Sequence, residues 1–144
     1  MVYSYDYPRP CVSVDSVVFQ RSGKQTQVLL IKRGNPPYQG MWAFPGGFLE
    51  MEETLEECAH RELFEETGLK GIELTQLFAF GDVHRDPRCR LITVAYYGFA
   101  HDPDTQIQGG DDALEARWFD IKALPQLAFD HDRILLKALE KINI

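Results

Sequence analysis

The segment that most restricts what this chain can become runs from Thr54 to Gly68. Glu, Leu and Ala predominate there, and Gly68 stands where a left-handed C-terminal cap would end a helix. The composition predicts a helix over 54–67. At about 100° per residue, Leu55, Cys58, Ala59 and Leu63 form an apolar stripe with Glu62 and Glu66 in its middle. Glu65 flanks them, so three acids crowd the side that faces the core. Burying like charges is costly unless a positive group joins them. A divalent cation is such a group. Oxygen-only ligands favour Mg²⁺ or Mn²⁺ over zinc, and no His or Cys pattern competes for the site. Arg61 precedes Glu62 by one residue and Glu65 by four, so it can orient a glutamate without being a ligand. Helix geometry leaves a second reading open, a surface helix laced with ion pairs.

Residues 47–69 resemble the Nudix box, G-x5-E-x7-R-E-U-x-E-E-x-G-U. Gly47, Glu53, Arg61, Glu62, Leu63, Glu65, Glu66, Gly68 and Leu69 occupy its fixed positions without a departure, and Phe44-Pro45-Gly46 is similar to the usual approach to the box. The resemblance implies an α/β fold, the Nudix α/β/α sandwich with a central mixed β-sheet. It also implies a pyrophosphohydrolase that uses Mg²⁺, with Mn²⁺ as a substitute. The metal would be held by Glu62, Glu65, Glu66 and the carbonyl of Gly46, and Glu53 and Arg61 would support that geometry. The proton of the attacking water would go to Glu65 or to an acid brought in from Asp111, Asp112 or Glu115.

At 144 residues and 44% hydrophobic content, the expectation is one domain over 1–144 with a substantial core. No apolar run approaches a membrane span and the start lacks a signal-peptide pattern, so the expected location is cytoplasmic, with no membrane partner. A net charge of −7 argues against a broad nucleic-acid surface. It leaves room for a small anionic substrate, because metal ions and a few placed arginines can reverse the local potential. Cys11, Cys58 and Cys89 form no paired motif and read as reduced, buried structural thiols.

Residues 1–10, with Tyr3, Tyr5 and Tyr7, read as an extended arm. Cys11–Gln20 and Gln27–Arg33 read as a hairpin of strands buried on both faces. Lys32 and Arg33 then either meet substrate phosphates or solvate a strand end. A loop at 34–40 leads to an extended segment at 41–44, Pro45 is expected to stop regular pairing, and Gly46-Gly47 lets backbone approach a ligand. Trp42 reads as core. Strands are expected at 72–80 and 91–99, around a basic loop in which Arg85 and Arg88 either clamp a pyrophosphate or form a salt-bridged turn about Asp86-Pro87. His84 is the histidine expected nearest the site, as an ordinary loop residue. Asp111 and Asp112 fit turn chemistry as well as catalysis, and Glu115 fits a pair with an arginine. A last strand near Phe119 and a helix from Asp130 or Asp132 complete the scaffold, and Phe64 leaves a partner or homodimer surface open.

A second, less specific resemblance covers roughly residues 8–125. Lys32-Arg33-Gly34-Asn35-Pro36-Pro37, Trp42 to Phe48 and Arg85-Asp86-Pro87-Arg88 followed by Ile92 to Tyr97 look like the ADP-ribose pyrophosphatase branch of the Nudix hydrolases, although Cys89 departs from the small residue expected there. It implies hydrolysis of ADP-ribose to AMP and ribose 5-phosphate, with Lys32, Arg33, Arg85 and Arg88 binding substrate. Oxidised nucleoside triphosphates or dinucleoside polyphosphates are rival substrates, and a non-catalytic ADP-ribose sensor is a rival of another class. The branch includes regulators fused to a winged helix. The chain ends at Ile144, too soon for one, so a stand-alone enzyme is expected.

Overall fold

The computed structural model describes residues 2–101 and 107–144. Strands β1 (Cys11–Ser22) and β2 (Gln25–Arg33) form the predicted hairpin around Gly23, whose φ of +62° suits a residue without a Cβ. They pair with each other only from the Phe19–Val28 position to the turn. Beyond it they part. Strand β3 (Trp42–Ala43) pairs with Ile31 and Lys32 of β2, while β4 (Gly46–Phe48) pairs with Ser13 to Asp15 of β1. Phe44-Pro45 bridges the fork. Pairing therefore resumes at once after Pro45, contrary to the expected stop. Proline lacks only the donor, and its carbonyl still accepts from the Ser16 amide at 2.9 Å.

The sheet is mixed, as expected. β6 (Leu91–Phe99) runs parallel to β1, whereas β5 (Thr75–Phe80) pairs antiparallel with β6 and β7 (Ala113–Asp120) antiparallel with β2. Helices α1 (Leu55–Thr67) and α2 (His131–Lys141) cover opposite faces, and the alternation of β1 shows why. Val17 and Phe19 pack with Ile134, Leu135 and Ala138 of α2. Val14 packs with Cys58 and Ala59 of α1, and Val18 with Leu63. Trp42 joins the α2 side as core, edge-on to Phe119. The strand expected from residue 72 starts only at Thr75, because Ile72 and Leu74 are drawn into the α1 core instead of a ladder.

Helix α1 is anchored at both ends. Thr54 accepts from the Glu57 amide at 3.1 Å while Glu57 accepts from the Thr54 amide at 2.9 Å, a reciprocal capping box. Gly68 closes the other end at φ +77°. Thr54→Ala is expected to cost about 1 kcal/mol in a denaturant melt, without altering the cleft described below.

One sequence expectation changes here. Of the cysteines, only Cys58 is buried, its thiol pushed up to about 12 by that burial, whereas Cys11 is exposed and Cys89 intermediate because both sit where β1 begins and the loop before β6 ends. In the expected arm Met1 lies outside the described residues, and residues 2–10 are exposed with Arg9 stacked on Tyr5. None of the described helices is long and apolar enough to cross a membrane.

Candidate active site

A cleft of about 400 Å³ opens where β1 and β2 part, within the roughly 300–1,000 Å³ usual for small-molecule sites. One wall is the acidic face of α1. Carboxylate oxygens of Glu62, Glu65 and Asp111 gather within 4.8 Å of one another. Oxygens opposite each other around an octahedral Mg²⁺ lie roughly 4.2 Å apart, so only side-chain adjustment is needed for one ion to meet all three. The donor set therefore fits a hard divalent cation. Asp111 reaches it from the turn before β7, closed by the Ala113 amide on the Gly110 carbonyl at 2.9 Å, with Asp111 at φ +52°.

Glu66 stands apart from these three. Only 5% exposed, it accepts from the Gly46 amide at 2.7 Å. Burial pushes its carboxyl up to about 9, and the nearby charges of Glu62, Asp15 and Asp111 push the same way. Such a group stays protonated near neutrality unless positive charge arrives. Burial also raises Glu62, against the opposing pull of Arg61. The close approach of β4 to β1 explains Gly46, and its approach to α1 explains Gly47. A Cβ on Gly46 would lie 2.2 Å from the Val14 carbonyl oxygen, and one on Gly47 would lie 2.5 Å from Glu62 Oε1. A side chain at Gly46 would collide with backbone, and one at Gly47 would displace the Glu62 carboxylate.

Arg61 organises the acids. Its guanidinium donates to both oxygens of Glu53 at 2.8 and 2.7 Å, to Glu62 at 2.8 Å, to Glu65 at 3.2 Å and to the Phe48 carbonyl at 3.3 Å. That bidentate pair holds Glu53 down at about 2. Glu53 also accepts from the Glu50 amide at 2.9 Å, which fixes the loop entering α1.

The opposite wall is basic and aromatic. Arg33 and Arg88 both line the cleft. Arg33 donates to the carbonyls of Pro37 and Asn35, and Arg88 pairs with Asp86 at 2.8 Å. Arg85, expected as a phosphate clamp, lines the cleft as well, but its guanidinium is bound within the protein. Its side chain is only 3% exposed, it grips Asp130 with two bonds of 2.9 and 2.7 Å, and it also donates to Thr93. Three of its five N–H donors are used in this way, holding the loop to the entry of α2 and to β6. Lys32 is not among the lining residues, since strand alternation turns it away from its neighbour Arg33. Glu115 likewise stands outside the lining, paired with Arg117 on β7, while Asp112 sits at the rim and accepts from Asn35 at 3.2 Å.

Asp15 and His131 escaped the sequence reading, which placed His84 nearest the site. Both are buried and line the cleft. His131 Nδ1 accepts from the Phe44 amide at 3.1 Å, so its ring proton sits on Nε2 and faces Asp15 at 3.2 Å. His131 and Asp15 lie 116 positions apart in sequence (131 − 15) and share no motif, so only the packing of α2 on β1 joins them. The one signal was a polar residue, Asp15, inside the apolar run of β1.

A family model described as the NUDIX domain matches residues 9–139. The chain is 41% identical over 129 residues to an ADP-ribose pyrophosphatase of Methanocaldococcus jannaschii, covering 90% of this chain and 73% of the relative. It is 38% identical over 144 residues to the ADPR-responsive transcriptional repressor NtrR of Acinetobacter baylyi, covering 96% of this chain and 56% of the repressor, so it spans little more than half of that protein. The NUDIX domain of Shewanella oneidensis NrtR, solved in complex with ADP ribose, superposes with a TM-score of 0.88 at 30% identity, covering 96% of this chain and 94% of that one.

Proposed function

From the premise that the chain belongs to the Nudix hydrolase family, we infer that it cleaves the pyrophosphate bond of ADP-ribose to give AMP and ribose 5-phosphate. The observation that carries this reading is what one cleft brings together: Glu62 and Asp111, gathered within 4.8 Å with Glu65 just outside the lining, and the basic Arg33 and Arg88. A diphosphate spanning the cleft meets positive charge on both its flanks once a cation joins the acids.

Glu62, Glu65 and Asp111 would hold the divalent cation, Mg²⁺ by preference, with Glu66 and the Gly46 backbone beside them. When bound, the ion supplies charge neutralisation for the diphosphate and makes a bound water more acidic. Arg61 fixes the rotamers of Glu62 and Glu65, so little reorganisation remains for the reaction itself. Arg33 and Arg88 orient the phosphates. Glu65 and Asp111, the exposed carboxylates of the cluster, would accept a proton from the attacking water. Asp112 and Glu115 take no part in this scheme, nor do Lys32 and Arg85 in substrate binding.

Similarity to the repressor gives a second reading, an ADP-ribose sensor, some support. A panel with Mg²⁺ of ADP-ribose, NADH, diadenosine polyphosphates, nucleotide sugars and 8-oxo-dGTP separates the two. Release of AMP is expected to be fastest from ADP-ribose. Tight binding of ADP-ribose without release of AMP would favour the sensor, and faster turnover of 8-oxo-dGTP or a dinucleoside polyphosphate would move the assignment to cleanup of those compounds. The reading takes a small nucleotide rather than nucleic acid as partner, on the acidic charge of −7, and a cytoplasmic location.

A further inference from the structure

Phe129 is a bulky residue at φ +52°, a region that side chains with a Cβ rarely adopt. Its neighbours keep it there. The Ala128 amide donates to the Trp42 carbonyl at 2.8 Å, Asp130 is gripped by Arg85, and His131 accepts from Phe44. Strain of this kind persists only where surrounding contacts fix the backbone, and it gathers at functional sites. The half-buried ring enters the cleft with the Arg33 guanidinium carbon 4.9 Å from its centroid and that of Arg88 at 5.5 Å. Arg88 lies 5.1 Å from the Phe48 ring as well. The two cations feel each other: burial lowers Arg33 and the charge of Arg88 lowers it further. Only Arg88 has a carboxylate among the partners described above. An aromatic face attracts cations through its quadrupole, so one ring can keep two mutually repelling guanidiniums on the same wall.

We propose that Phe129 is a positioning residue for the substrate phosphates, acting through Arg33 and Arg88, which its ring mounts opposite the carboxylates of α1. This rests on the reading of the cleft as a diphosphate site. The strained backbone aims the ring at both guanidiniums, and the anchored residues on either side hold that aim. Leucine at 129 meets the same backbone strain as phenylalanine and fills similar space without a π-face, and tyrosine keeps the face. The comparison therefore isolates the ring.

The test measures KM and kcat for ADP-ribose with Mg²⁺, and calorimetric affinity for inorganic pyrophosphate with Mg²⁺, in wild type, F129L and F129Y. F129L is expected to raise KM and weaken pyrophosphate binding about tenfold, with kcat within about threefold of wild type, and F129Y to stay within about twofold on both measures. Unchanged pyrophosphate affinity in F129L, equal losses in F129L and F129Y, or a fall in kcat at constant KM would each overturn the proposal. If F129L does not fold, F129M removes the ring at similar size and is judged by the same outcomes. Wild type that binds pyrophosphate but leaves ADP-ribose intact would sink the substrate assignment, while the comparison on pyrophosphate still decides the role of Phe129.

Discussion

Glu66→Gln is expected to lower kcat/KM for ADP-ribose by about a thousandfold, the scale associated with losing a group that stabilises developing charge. The amide oxygen can still accept from the Gly46 amide, so the turn from Phe44 to Gly47 should survive. What disappears is the negative charge. Stability should move the other way in protein stripped of metal by chelation. In the folded chain burial raises the Glu66 carboxyl to about 9, from an ordinary value of 4.5. Between those values the folded state keeps a proton that the unfolded state has released, so stability is greatest below the lower value and falls as pH rises towards the upper one. Metal-free wild type should therefore melt at progressively lower temperature from pH 5 to pH 9, and the variant should lose this contribution to the slope. Near wild-type turnover in Glu66→Gln would remove Glu66 from the mechanism, and an unchanged slope would show that its burial does not govern the pH response.

Arg85→Ala should produce the largest loss of stability. The guanidinium is buried, forks onto Asp130 and also donates to Thr93, so deleting it leaves a half-buried carboxylate facing nothing positive in its place. Breaking one partner of such a pair costs about 3–5 kcal/mol, and for a chain of this size Tm should fall on the order of 10 °C. Arg85→Lys keeps the charge without the fork and should recover part of the loss. A double-mutant cycle with Asp130→Ala checks the attribution, because both single losses should largely merge in the double variant. A residue that clamped phosphate instead would leave Tm unchanged and raise KM, and that outcome would return Arg85 to the substrate.

The sequence by itself determined the parts whose physics is local. Helical spacing put Glu62 and Glu66 on the side of α1 that turns inward with the exposed Glu65 at its edge, the run from Thr54 to Gly68 marked both helix ends, and nearly continuous apolar runs in β1 and β2 marked a hairpin buried on both faces. Spacing along one continuous segment is read directly from the chain, which is why the nine fixed positions from Gly47 to Leu69 pointed to the family. What neighbours a residue across the chain is decided only by packing. Composition could not divide the arginines, since Arg33, Arg85 and Arg88 offer the same donors. The partner each meets separates them: main-chain carbonyls for Arg33, Asp86 for Arg88, Asp130 and burial for Arg85. In the same way Asp111, rather than Asp112 or Glu115, meets the α1 glutamates because the turn before β7 places it there. Asp15, Phe129 and His131 acquire a common purpose only when α2 closes on the open end of β1. Local chemistry thus specified the acids that could hold a cation, and the fork in the sheet decided what stands across the cleft from them.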